Sequence, residues 1–130
     1  MRNIIKILFM GFGLLLVGCS PKTPDCSADD TKELVFKIVK DEIAKFFNSS
    51  SFKQMQQMGV GGANELKISD LTYKLEEIRT KSHDKELDKY RCVAKLITTN
   101  KKNGETKKSN IEYVSERTDD NMHYVTVYGL

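Results

Sequence analysis

At Gly59-Val60-Gly61-Gly62 the hydrophobic pattern of this chain changes its period from that of a helix to that of a strand, so one domain must hold both. Before the glycines, Leu34, Val35, Ile38, Val39, Ile43, Phe46 and Phe47 recur at steps of three and four. They draw one apolar face along a helix running to about Asn48. Lys32, Lys37, Lys40, Asp41 and Lys45 fall mostly on the other face, and Phe36 lies toward the edge of the stripe. Asp29, Asp30 and Thr31 supply N-cap candidates, and acids there suit the positive end of the helix dipole. Asn48-Ser49-Ser50-Ser51 interrupts the pattern. Phe52, Met55 and Met58 then predict a second, short helix, which the glycine run ends as a flexible loop.

Beyond the glycines, apolar and polar residues alternate. The alternation predicts strands over 71–81, 89–99, 107–116 and 122–128. Ser82-His83-Asp84-Lys85-Glu86 is the first expected turn, and Lys102-Asn103-Gly104-Glu105 the second, as a type I′ hairpin. Thr118-Asp119-Asp120-Asn121 is the third. In the second strand Tyr90, Cys92, Ala94 and Leu96 share a face, with Val93 and Ile97 on the other. The expected architecture is α+β: an N-terminal amphipathic helix packed on a four-stranded antiparallel meander, as one domain over 30–130. That arrangement is similar in pattern to cystatin or NTF2-like folds.

The first 18 residues are not part of that domain. Arg2 and Lys6 give a positive start, residues 7–17 are apolar, and small residues follow, the three parts of a secretory signal. Eleven residues of helix reach about 16 Å, roughly half of a bilayer's hydrocarbon core, so a stable membrane span is disfavoured. The junction Leu16-Val17-Gly18-Cys19 resembles the bacterial lipobox. That resemblance implies cleavage before Cys19 and acylation of its sulfur and new amino group, with two or three chains holding the protein durably to a membrane. An ordinary cleaved signal is the alternative. Ser20 stands where an Asp would signal inner-membrane retention, so the resemblance leans toward the outer membrane, facing the periplasm, if the cell has one. Residues 19–29, with Pro21 and Pro24, read as an extended lipidated tether.

With lipid on Cys19, Cys26 and Cys92 remain as an even pair in an exported protein, and a disulfide between them is expected. Two free thiols and a metal site are the alternatives. A zinc site would need more ligands than His83 and His123 supply. Ile78-Arg79-Thr80, Asp88-Lys89-Tyr90-Arg91-Cys92-Val93-Ala94, Ile111-Glu112-Tyr113, Thr118-Asp119-Asp120 and Tyr124-Val125-Thr126-Val127 are similar to small bacterial lipoproteins of unassigned function. The resemblance covers about residues 68–130. It implies a disulfide-bearing exported domain and carries no catalytic residues with it.

Formal net charge is +3, of which Arg2 and Lys6 supply two, a balance that disfavours a polyanion-binding arm or acidic tail, and nucleic acid is not an expected partner. His83 in a turn and His123 near Asp119 and Asp120 read as solvated surface histidines. No Gly-x-Ser-x-Gly elbow accompanies Ser49-Ser50-Ser51. Asp119-Asp120 lacks the EF-hand spacing, and the glycine run lacks the Gly-Lys-Ser/Thr ending of a phosphate loop. Glu76-Glu77, as strand neighbours, should point to opposite faces rather than form a carboxylate pair. No cofactor, metal or catalytic residue is expected. Lys101, Lys102, Lys107 and Lys108 around the second hairpin form a candidate contact for an acidic partner or anionic headgroups. Tyr73, Tyr90, Tyr113, Tyr124 and Tyr128 either pave a binding face or serve the core. The expected function is that of a non-enzymatic, lipid-anchored envelope protein binding another macromolecule. The alternative is a carrier with an apolar pocket between helix and sheet.

Overall fold

The computed structural model describes residues 21–63 and 65–130. The leader and Cys19 lie outside the described residues, and no helix within them is long and apolar enough to cross a membrane. The fold is α+β, with helices α1 (Asp29–Phe47) and α2 (Ser50–Met58) followed by one four-stranded antiparallel sheet. Its strands are β1 (Leu71–Asp84), β2 (Lys89–Asn100), β3 (Thr106–Arg117) and β4 (His123–Tyr128), in the order of a meander.

The helix α1 buries Thr31, Val35 and Val39 and leaves its lysines to solvent. Its cap differs from expectation. Ala28 occupies the N-cap with no side-chain bond, and Asp29 and Asp30 sit in the first turn as dipole partners. Thr31 turns inward, its hydroxyl 3.4 Å from the Pro24 carbonyl oxygen and 3.5 Å from Ser115 Oγ. Ser49 caps α2 by accepting from the Phe52 amide at 3.2 Å. Gly59 closes α2 at φ 64°, a left-handed conformation that costs glycine little. Phe46, Phe47 and Phe52 cluster where the two helices meet, the last two with ring centroids 4.4 Å apart.

The first three strands run farther than their sequence pattern suggests, and β4 starts one residue later. β1 continues to Asp84, so its turn is 85–88 rather than 82–86. Between Glu76 and Arg79 the register slips, because Glu77 adopts φ 51° and makes a bulge. The slip carries Ile78 to the side of Leu75, where both pack on the core. A second slip between Thr80 and Ser82 restores the phase, so His83 lies opposite Tyr90. The Asn-Gly hairpin is not type I′: Gly104 has φ 74°, while Asn103 is not left-handed. The loop is longer, with the Gly104 amide donating to the Asn100 carbonyl at 2.8 Å and Asn100 Oδ1 accepting from the Lys102 amide at 3.0 Å. The asparagine side chains shape this turn, and it needs one positive φ instead of two.

The core sits between α1 and one sheet face. Val35 and Val39 meet Cys92, Ala94 and Leu96 of β2, Ile111 and Tyr113 of β3, and Val125 of β4. Cys26 and Cys92 are joined by a disulfide that ties the start of α1 to the sheet, with Cα atoms 5.7 Å apart. Tyr113 is wholly buried and donates its hydroxyl to the Cys26 carbonyl at 2.8 Å. Desolvation first, and Asp25 second, push its phenol up to about 12.

Candidate functional site

Two ends of the sheet carry unlike chemistry. At one end, the segment expected to be a free tether is strapped to the strands from Lys22 onward. The Thr23 amide donates to Asp88 Oδ2 at 2.7 Å, and Ser115 Oγ donates to the Pro24 carbonyl at 2.7 Å. Arg117 donates to the Lys22 carbonyl through Nε and Nη2 at 3.3 and 3.1 Å. The strap contains no large apolar residue, so hydrophobic patterning had no signal to find; it is held by its main-chain groups, which side chains of the sheet grip. Asp88 serves twice, since its Oδ1 lies 2.9 Å from His83 Nε2. The Thr23 amide, then His83, hold its carboxyl below the usual carboxylate range.

His83 is exposed, as expected, but engaged, whereas His123 is half-buried. His83 is the last core-facing residue of β1, stacked on Tyr90 with ring centroids 3.9 Å apart. His123, in β4, places Nε2 2.8 Å from Ser115 Oγ. Burial, then Arg117, depresses its imidazole pKa, against an opposing pull from Asp30. A serine beside a histidine resembles the start of a hydrolytic site, and sequence spacing gave no hint of it. The polarity is wrong for catalysis. Ser115 spends its one proton on the Pro24 carbonyl, so the network assigns the proton to His123 Nε2, which donates to the serine and cannot act as its base. Ser115 is also fully buried, out of reach of any substrate. The pair is a clasp for the strap.

The opposite end, about 35 Å away along the length of β2, holds the expected lysines. Lys101 and Lys102 occupy the loop, with the Lys101 amide donating to the Asp70 carbonyl at 2.8 Å. Lys107 and Lys108 flank it, but strand alternation divides them: Lys107 lies opposite Thr98 on the helix side, and Lys108 opposite Ile97 on the outer side. The four lysines therefore ring the tip instead of forming one flat patch. All are exposed, and among the described residues no carboxylate lies within ion-pair distance of them. The same end carries exposed apolar side chains on and beside α2: Phe46, Met55, Met58, Val60 and Ile68.

The outer sheet face between these ends is a lattice of ion pairs. Lys74 meets Glu76 at 3.1 Å, Lys95 meets Glu77 at 2.7 Å, and Lys81 meets Glu112 at 3.5 Å. The Glu77 bulge brings that carboxylate toward the strand facing Glu76, yet each acid has its own lysine, so no carboxylate dyad forms. Hydrogen bonding to Lys95, then its charge, lowers the Glu77 pKa. The tyrosines divide by face. Tyr113 is core, Tyr73 and Tyr90 pack against it, and Tyr124 and Tyr128 are exposed. A hollow of about 230 Å³ near Lys81, Arg91, Glu112 and Tyr128 is shallow and charged at its rim. Among the described residues no group of three or more His, Cys, Asp or Glu is placed to hold a metal.

No protein-family model, curated protein or solved structure matches the chain.

Proposed function

We propose that this protein is a lipid-anchored component of a bacterial cell envelope, held through acyl chains on Cys19, that binds another macromolecule and catalyses no reaction. Its place is the outer membrane, facing the periplasm, in a cell that has one. The observation that carries the reading is the division of labour between the two ends. The chain enters at the strapped end, while the four unpaired lysines and the exposed apolar cluster on and beside α2 gather at the end farthest from it. An anchored receptor or adaptor needs that polarity, because its contact surface must clear the bilayer. A ring of uncommitted cations around apolar residues suits an acidic protein surface with an apolar centre. The carrier reading has less support, because Val35, Val39, Ile111 and Tyr113 fill the space between helix and sheet.

Two measurements test this reading. Cys19→Ala should abolish detergent-phase partitioning and palmitate labelling; labelling that survives removes the anchor. A photo-crosslinking residue placed at Lys101 or Met58 in cells should yield a discrete adduct, and one at Lys85 should not. Lys101, Lys102, Lys107 and Lys108 changed together to Gln should cut the adduct about tenfold, as loss of charge complementarity does. Equal adducts from both ends, or a yield indifferent to the four substitutions, would sink the contact surface.

A further inference from the structure

We infer that the strapped end of the sheet rests on the phospholipid surface itself, with Leu87 and Met122 seated in the headgroup region. The inference rests on the acylation of Cys19 proposed above and adds an orientation and a second, apolar membrane contact. Covalent geometry sets the distance. Thr23 is fixed to Asp88 and Pro24 to Ser115, so four Cα steps separate the acylated residue from a docked one. At 3.8 Å per step, that leash reaches at most about 15 Å. The end where the strap enters cannot stand far from the bilayer.

The surface presented there has a matching chemistry. Pro21 and Lys22 share a hollow of about 620 Å³ with Leu87 of one turn and Asn121 of the next, so both turns flank the entry point. Turns favour small polar residues, yet these two carry Leu87, 67% exposed, and Met122, 62% exposed. Neither packs on the core. Nearby acids are largely engaged in shaping the turns. Asp84 Oδ1 accepts from the amides of Glu86 and Leu87 at 3.0 and 3.1 Å, Asp88 holds Thr23, and Asp120 accepts from the Thr118 hydroxyl. Lys22, Lys85 and Arg117 do not outnumber the acids Asp84, Glu86, Asp88, Asp119 and Asp120. The contact is therefore apolar rather than electrostatic, and zwitterionic lipid suffices for it. It also directs β2 and β3 away from the bilayer and carries Lys101 and Lys102 outward.

The chain has no tryptophan, so single tryptophans report cleanly on this geometry. Full-length lipidated protein is placed in phosphatidylcholine vesicles, with acylation of Cys19 established by mass spectrometry and vesicle flotation. Leu87→Trp and Met122→Trp should shift to the blue and lose about half or more of their emission to lipid brominated near the headgroup, while Met58→Trp should not change. In the unaltered protein, vesicle binding should slow tryptic cleavage after Lys85 about fivefold or more and leave cleavage after Lys101 and Lys102 untouched. Acylated, vesicle-bound protein with no quenching at either turn and no protection at Lys85 overturns the orientation and leaves the anchor standing. Flotation that requires anionic lipid, or quenching at Met58→Trp alone, also overturns it. Absence of acyl chains on Cys19 overturns the anchor and the orientation with it.

Discussion

Asp88 accepts from the Thr23 amide with one oxygen and faces His83 with the other, so its replacement removes two contacts of the strap. Asp88→Ala should lower the unfolding free energy in urea by about 1–3 kcal/mol, the range for leaving a partly buried donor unpaired. Asp88→Asn keeps an acceptor and tolerates the φ of 48° at this position, so it should recover most of the loss. His123 makes a prediction about pH. Its pKa is depressed in the fold, so the unfolded chain binds the proton more readily. Stability is then full above the ordinary value near 6.5 and falls as pH drops below it. The lowered pKa of Asp88 adds a second loss, in the more acidic carboxylate range. Thermal melting between about pH 5 and 7 should show the first slope, and His123→Gln, which can still donate to Ser115, should flatten it. A slope unchanged in that variant would assign it elsewhere.

The disulfide and the bulge do the corresponding work for whole elements. Cys26–Cys92 closes a separation of 66 residues and binds the start of α1 to β2. Paired Ala substitutions should lower stability by roughly 4 kcal/mol on the chain-entropy account, read as a shift of the urea midpoint. Two free thiols in protein recovered from the envelope would contradict the bond. At Glu77 the left-handed backbone and the Lys95 ion pair act in opposition under mutation. Glu77→Gly relieves the first and forfeits the second, so its urea midpoint should stay close to the parent's. Glu77→Val, β-branched at the positive φ of this position, should lower the urea midpoint clearly below both. If Val is tolerated as well as Gly, the bulge is not what sets the phase of Ile78.

For the molecule as a whole, the strap decides where the folded unit begins. A chain starting at residue 26 keeps the disulfide but loses the Thr23, Pro24 and Lys22 bonds to the sheet. Exported to an oxidising compartment, it should fold yet have an unfolding free energy about 2–4 kcal/mol below that of a chain starting at residue 21, for a set of partly buried hydrogen bonds. Equal melting would make the strap a passive leash. The four Lys→Gln changes at the hairpin tip should leave melting unaltered, since these side chains are exposed and support no part of the core.

Period and punctuation were enough to determine the two helices, the four strands and their meander order, because each depends on residue type at short spacing. The helix-facing side of β2 was legible for the same reason. The pairing of Cys26 with Cys92 came instead from the cysteine count once Cys19 was set aside. The Glu77 bulge was not. Alternation predicts side-chain direction only while the register holds, and Ile78 three places after Leu75 marks the break without saying which residue bends. The strap was hidden because it meets the sheet through its own main-chain carbonyls and amide, which every sequence possesses alike, even though the groups that grip them are side chains. The Ser115–His123 clasp and the stacking of His83 on Tyr90 needed strands paired across turns before either contact existed. The lysines were visible as a cluster, but only the sheet put Lys107 and Lys108 on opposite faces. Only the sheet, too, set their tip the full length of β2 away from the residue where the chain enters.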